Sequence, residues 1–282
     1  MSITIRPIQT HQEYRAVEAL QQEVWGLDPV EIVPNHLLLT AQKNGGLVLG
    51  AFDIPPEGGA GRLVGFVFGF LGLTPDGRLK HCSHMAGVAP AYQNRRIGYR
   101  LKLAQREHVL AQGIELITWT FDPLESRNAR LNFHKLGATC RTYLRDLYGP
   151  MRDALNVGVP SDRFQVEWWI ASPRVVDRLR GAVPDLSPTA LRAEGVPLLN
   201  PVPPADLPHP PEQTRPIEGD RLLIQIPAHF QAIKAADMAL ARAWRLHTRA
   251  LFEATFAQGY TVVDLLFEEG QSFYLLRRGE PQ

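Results

Sequence analysis

The chain has 282 residues, 45% hydrophobic and 21% charged, with a formal net charge of +1. That composition is ordinary for a soluble globular protein, and no global field recruits nucleic acid or an acidic membrane. Two cysteines, Cys82 and Cys140, are too few for a disulfide scaffold or a structural zinc site and read as buried thiols in a reducing compartment.

The N-terminus, MSITIRPIQTHQEY, lacks the apolar core of a signal peptide, and the run from Leu63, LVGFVFGFLGL, is too short to span a bilayer. A cytoplasmic protein is expected. ITIRPI alternates like a half-buried strand, and HQEYRAVEALQQEVWG reads as a helix stopped by Gly26. PNHLLLTAQKNGG reads as a short helix. LVLGAFD and RLVGFVFGFLG are strands joined through the turn IPPEGGAG, and LKHCSHMAGVAP is a fourth strand. From Ile97 a helical stripe through Leu101 and Ala104 runs to Gly113, and IELITWTF is another strand.

In DPLESRNARLNFHKLG, Asp122 fits an N-cap, Pro123 the first helical position and Glu125 the third, a capping-box arrangement. Asn128, Asn132 and Lys135 recur at i, i+4, i+7 as a polar stripe. ATCRTYLRDLYG and RFQVEWWIAS follow as strands. Ten of the 23 prolines lie between Pro184 and Pro216, which argues against a packed helix and for an extended connector. RLLIQIP is then a strand, Ala232 to Ala257 one long helix, and YTVVDLLF and SFYLLRR a final strand pair. The basic stretch RAWRLHTR on that helix reads as a solvated face, and His134 as a surface residue.

The turn Gln93-Asn94-Arg95-Arg96-Ile97-Gly98 lies between the fourth strand and a helix. A helix N-terminus offers unpaired N–H groups and partial positive charge, glycine admits close approach, and arginine adds a permanent donor. The turn therefore suits a pyrophosphate; the same residues also fit a solvated basic turn that merely starts a helix.

The element order and this turn together resemble the GCN5-related N-acetyltransferase (GNAT) superfamily. Its acyl-CoA loop follows the fourth strand with the pattern [QR]-x-x-G-x-[GA], read here as Gln93-x-x-Arg96-x-Gly98, and VAPAYQNRRIG is similar to the family's longer form. Arg96 stands where glycine is usual. The resemblance spans residues 3 to about 171. It implies an α/β (α+β) fold with a mixed, mostly antiparallel central sheet flanked by helices, over residues 1–180. A Pro-rich connector (181–219) and a β-α-β-β module (220–282) packed on the first domain would follow. It resembles extended bacterial members of that superfamily.

The implied activity is direct acyl transfer from acyl-CoA, acetyl-CoA first, to the amine of a small molecule or amino acid, with no metal. The alternatives are succinyl-CoA as donor, with Arg127, Arg141 or Arg145 meeting its carboxylate, or a non-catalytic acyl-CoA-binding module. The resemblance places the coenzyme on Met85, Gly87 and Val88 of the fourth strand, on Gln93, Asn94, Arg95, Arg96, Ile97 and Gly98, and beside Asn128 and Asn132. Gly87 would allow close approach. The general base favoured is His84, with Glu23 and Glu31 as other candidates. His81, three residues away, points to the opposite face unless a bulge intervenes. Phe133 occupies the tyrosine position that supplies the acid in many relatives, so Tyr143, Tyr148 or a water is the expected substitute. The acceptor is expected to be met by loops around 25–45 and 149–163. Neither nucleic acid nor a membrane is an expected partner; a homodimer is compatible with the composition.

Overall fold

The computed structural model describes residues 2–279 except 57, 60 and 152–155. The chain forms two compact units that divide between Trp119 and Thr120.

The first unit contains strand β1 (Ser2–Pro7), helix α1 (His11–Trp25), helix α2 (Asn35–Lys43), strands β2 (Leu47–Ile54), β3 (Arg62–Leu73) and β4 (Leu79–Val88), helix α3 (Ile97–Ala111), and the start of β5 (Leu116–Phe121). α1 begins where the sequence says it should. Thr10 and Glu13 form a capping box, and Gly26 closes the helix in the left-handed conformation. The sheet order is β1-β2-β3-β4-β5, antiparallel except for β4 with β5. One face is covered by Val17, Leu20 and Leu38 of α1 and α2, packed with Phe52, Phe66 and Phe68. The other is covered by Ile97 and Leu101 of α3, packed with Leu49, Val64 and Val67. β3 contributes to both cores, which is why it reads as a continuous apolar run.

The second unit contains α4 (Ser126–Ala129), a π-helical turn (Arg130–Lys135), β6 (Thr139–Leu144), β7 (Arg163–Trp169), α5 (Pro173–Leu179), α6 (Pro188–Ala193), β8 (Arg221–Ile226), α7 (Phe230–Ala236), α8 (Met238–Ala257), β9 (Tyr260–Glu268) and β10 (Gln271–Arg278). Its strands run in the order β7-β6-β9-β10-β8. The C-terminal segment thus shares one sheet with β6 and β7, through the antiparallel pair Cys140–Val262. An aromatic core joins these elements, with Phe164 at 4.6 Å from Phe252 and 5.5 Å from Tyr274, and Phe133 at 5.8 Å from Tyr274, all near-perpendicular. The fold is mixed α/β with mostly antiparallel ladders and flanking helices.

Several local expectations are corrected. The capping box at Asp122 does not form. Asp122 Oδ1 accepts from Leu124 N–H at 2.8 Å in a turn, and the helix starts only at Ser126. The π-helical turn then breaks the i, i+4, i+7 register, so Asn132 is buried while Asn128 is exposed. His134 is also buried, its Nδ1 3.1 Å from Asp264 Oδ1. The Pro-rich segment is packed, not an extended spacer: Ser187 caps α6 with Pro188 at its first position, and Leu191, Val196 and Leu198 pack with Leu223 and Val263. The long helix is interrupted at Asp237, whose carboxylate caps α8 through Leu240 N–H.

RAWRLHTR is not a solvated face. Arg245 is fully buried and paired with buried Asp122, while Arg249 makes a bidentate pair with Asp162 at 2.7 Å. Removing one partner of a buried pair strands the other charge, at about 3–5 kcal/mol. Asp122→Ala should therefore lower unfolding stability in urea by about that amount, and Asp122→Leu combined with Arg245→Met should recover most of it. A loss below about 1 kcal/mol in the single variant would show that water already solvates the arginine.

Candidate active site

β4 is paired on both edges only at its beginning. Its parallel ladder with β5 holds His81–Ile117 and Cys82–Thr118 and ends there, while its ladder with β3 continues to Val88. Among the described residues, no strand pairs with that edge of β4 from Ser83 onward. Ala89 N–H reaches Val64 O at 2.9 Å, so the alternation of an antiparallel ladder turns Gly87 toward β3 and turns the amides of Ala86 and Val88 outward. Met85 to Val88 is the expected strand end, and within it the amides of Ala86 and Val88 are the outward pair. The glycine at 87 is also explained differently. A Cβ there would meet Trp25 Cη2 at 2.9 Å, so Gly87 makes room for the tryptophan that ends α1.

A bulge falls between the pairs Gly69–Ser83 and Phe68–Met85, and His84 is its extra residue. The His84 ring is exposed and lies 5.9 Å from Phe68 and 5.8 Å from Phe70. Desolvation by this apolar contact holds its pKa below the usual 6.5, so it is neutral and can accept a proton at neutral pH. His81 lies on the opposite face, fully buried, with its Nε2 3.1 Å from Gln105 Nε2.

Beyond β4, Pro90–Tyr92 forms a single 3-10 turn, and Tyr92 is anchored by donating to Asp53 Oδ2 at 2.8 Å. Arg95 lies over the Tyr92 ring at 5.1 Å, and Gln93 Nε2 donates to Val88 O at 3.4 Å. Asn94 and Arg96 both have positive φ, 65° and 60°. Such alternation of handedness converges successive N–H groups into an anion-binding concavity. Arg96 is the N-cap of α3 with no side-chain capping bond, and the first helical bond runs from Arg100 N–H to Arg96 O. The N–H groups of Ile97, Gly98 and Tyr99 thus precede the hydrogen-bonded ladder. A Cβ on Gly98 would meet only Val88 Cγ2, at 3.9 Å. The protein itself leaves that space clear, as an approaching phosphate would require.

A buried polar group underlies the point where β4 and β5 part. Lys102 of α3 donates to Ser83 Oγ at 2.8 Å and to Gln105 Oε1 at 3.2 Å, and its ammonium lies 3.9 Å from the Trp119 ring centre. Burial pushes the Lys102 pKa down to about 7, and burial together with the Lys102 charge pushes His81 down to about 3. Neither Lys102 nor Gln105 was singled out from the sequence, although both interrupt the apolar stripe of α3.

The remaining candidates belong to the second unit. Tyr143 donates to Asp162 Oδ2 at 2.7 Å, and burial raises its pKa well above 10, a poor setting for a proton donor. Tyr148 is exposed and shares a 2.7 Å hydrogen bond with Thr120. Phe133 is fully buried in the aromatic core. Arg145 is held by Glu253 at 2.5 and 2.6 Å. In the first unit, Glu23 is 3.7 Å from Arg62. Part of the 149–163 loop lies outside the described residues.

No family model and no curated protein matches the chain. Among solved structures it is similar to a ribosomal-protein-S18-alanine N-acetyltransferase from Escherichia coli, at 15% identity over 61% of this chain and 96% of that one, with a TM-score of 0.47. It is similar to an acetyltransferase of the GNAT family from Streptococcus pneumoniae, at 14% identity over 59% and 98%, TM-score 0.46. A third likeness is to NAA60 of Arabidopsis thaliana in complex with acetyl-CoA, at 14% identity over 60% and 99%, TM-score 0.47.

The depressed lysine makes stability depend on pH. Between about 7 and 10.5 the unfolded chain holds the Lys102 proton and the folded chain does not, so this group adds stability as pH rises. The stability difference between wild type and Lys102→Met, measured in urea from pH 7.5 to 9, should grow in favour of wild type by up to about 1.4 kcal/mol per pH unit. A flat difference would mean the ammonium is solvated.

Proposed function

We propose that the chain is an acyl-CoA-dependent N-acyltransferase that passes an acyl group to the amine of a small molecule or amino acid. The observation that carries this reading is the continuity of two donor sets in the first unit. The outward amides of Ala86 and Val88 lead along β4 to the convergent N–H groups at the start of α3, where Gly98 leaves open space. A pyrophosphate suits the second set and an amide-bearing arm the first. Asn94, Arg95, Arg96, Ile97 and Gly98 would hold the phosphates, with Gln93 bracing the loop through Val88.

The thioester would supply the acyl group. The chain would orient it along the β4 edge and receive a proton. His84 would take the proton of the acceptor ammonium, since the bulge presents its ring on the exposed face and its neutrality suits a base. A thiol leaving group of low basicity departs as thiolate, so the unsuitability of Tyr143 and the absence of a hydroxyl at Phe133 do not stop turnover. Acetyl-CoA is the donor proposed first and succinyl-CoA the alternative.

Thermal unfolding with acetyl-CoA, succinyl-CoA, free CoA and ADP tests the cradle. At a hundred times Kd a ligand should add about 2.7 kcal/mol. Gly98→Ala should reduce that gain while leaving the free protein as stable, because a Cβ there meets only Val88 Cγ2, at 3.9 Å. No shift with any CoA species would end the acyltransferase reading.

The base has its own signature. Turnover should fall as pH drops through a value below 6.5, and His84→Gln should lower kcat by about a hundredfold or more without changing CoA stabilisation. Unchanged turnover in that variant would remove His84 from the chemistry.

A further inference from the structure

We propose that Phe70 selects the acceptor: the amine this chain acylates carries an uncharged aromatic or similarly bulky apolar group, on a short tether, that seats against Phe70 beside His84. This rests on the acyltransferase reading and narrows its acceptor from any small amine or amino acid to one chemical class.

The alternation of β3 supplies the first argument. Phe66, Phe68 and Phe70 share the face that α1 and α2 cover. Phe66 and Phe68 are buried in that core, whereas Phe70 is 39% exposed and lies past the helical cover. Its ring centre is 6.0 Å from that of Phe68 and 5.8 Å from that of His84, and Phe68 lies 5.9 Å from His84. Buried Phe68 is thus the floor on which two exposed rings stand side by side, one of them the proposed base. A lone surface phenylalanine needs no explanation. One in contact with the group that must meet the acceptor does.

The charges on this face are the second argument. Phe70 pairs with Cys82 across the ladder, and alternation along β4 returns His84 to the same side. Gly72, the next β3 residue on this face, adds no side chain, and Lys80 opposes it. Beyond Phe68, the side chains that β3 and β4 bring here are therefore Phe70, Cys82, His84 and Lys80, with no carboxylate among them. A second ammonium on the acceptor, as in a diamine, would find no counter-charge on these strands and would approach Lys80. An uncharged ring gains from leaving water against Phe70 and needs no partner charge.

Distance sets the tether. The acceptor nitrogen must come within about 3 Å of a His84 ring nitrogen to give up its proton. A ring packed on Phe70 takes a centre-to-centre distance of about 4.5–7 Å. Since the His84 and Phe70 rings are neighbours at 5.8 Å, a tether of about two carbons joins the two positions. Phe70 is a positioning residue in this arrangement, and His84 remains the base.

The test is initial-rate kinetics with acetyl-CoA and, in turn, phenethylamine, a linear diamine of similar length, and ethylamine. In the wild type, kcat/KM for phenethylamine should exceed that for each of the others by about tenfold or more. Phe70→Ala should raise KM for phenethylamine by about tenfold, with its kcat and the KM for ethylamine changed by less than about twofold. Phe70→Leu should restore most of the loss, because it returns apolar volume to the site. Thermal stabilisation by free CoA should be the same in all three proteins. The proposal is overturned if the diamine or ethylamine is the better substrate, or if Phe70→Ala affects all three amines equally. It is also overturned if CoA stabilises the wild type while phenethylamine is neither acylated nor adds stabilisation to the CoA-bound protein. If no CoA species stabilises the wild type, the acyltransferase reading fails first and this proposal with it.

Discussion

Among the described residues, β4 keeps a hydrogen-bonded neighbour on one edge only after Cys82. A backbone amide without a partner must find water or a ligand, because each carries an obligatory donor and acceptor. That single constraint organises the first unit. The bulge at His84 bends the strand where the second ladder ends, and it lets a histidine and the following methionine reach the face that α1 and α2 cover. The strand then delivers its chain to the start of α3, where N–H groups are again in excess. A site with one donor set suits many ligands. Two sets joined along one strand suit an elongated ligand with a polar arm and an anionic end.

The second unit solves a different problem. It carries buried arginine and aspartate inside an aromatic core, at a cost that hydrophobic residues of the same volume would avoid. Arg245 meets Asp122, and Asp162 collects Arg249, Tyr143 and the Asp146 amide. Each acid is drawn from a turn or strand start and each arginine from α8. The pairs thus fix one register of the helix against the strands, where aromatic contacts alone tolerate small slips.

Most elements could be read from the sequence because period and punctuation agree there. The glycine stop at Gly26 and the alternating strands are local signals and needed no tertiary knowledge. The loop from Gln93 to Gly98 was legible for the same reason. The failures share a cause. Asp122 and Pro123 look like a helix start, but Asp122 is occupied by Arg245, which lies far away in sequence. Asn132 lost its place on a polar stripe to a π-helical turn that no simple periodicity announces. Prolines excluded an interior helix yet not one that begins with proline, as α6 does. Which amides of Met85 to Val88 face outward depends on ladder phase, which the sequence does not carry. Lys102 and Gln105 left a faint trace, two polar residues inside the buried stripe Ile97, Leu101, Val109.

Arg96 shows how a departure from the familiar loop pattern can be weighed physically. Its φ of 60° is the conformation that makes glycine usual at such a position. An L-residue held there costs about 1–2 kcal/mol. The strain is absent from the free energy of phosphate binding if it is present before and after, so it lowers stability but not affinity. The guanidinium, by contrast, is exposed, and on the proposed reading it would contribute only when an anion arrives, with a charge-assisted bond of about 1.5–3 kcal/mol. On the proposed phosphate-binding reading, an arginine at this position would exchange a little stability for affinity, while the backbone N–H groups that glycine would have presented stay where they are.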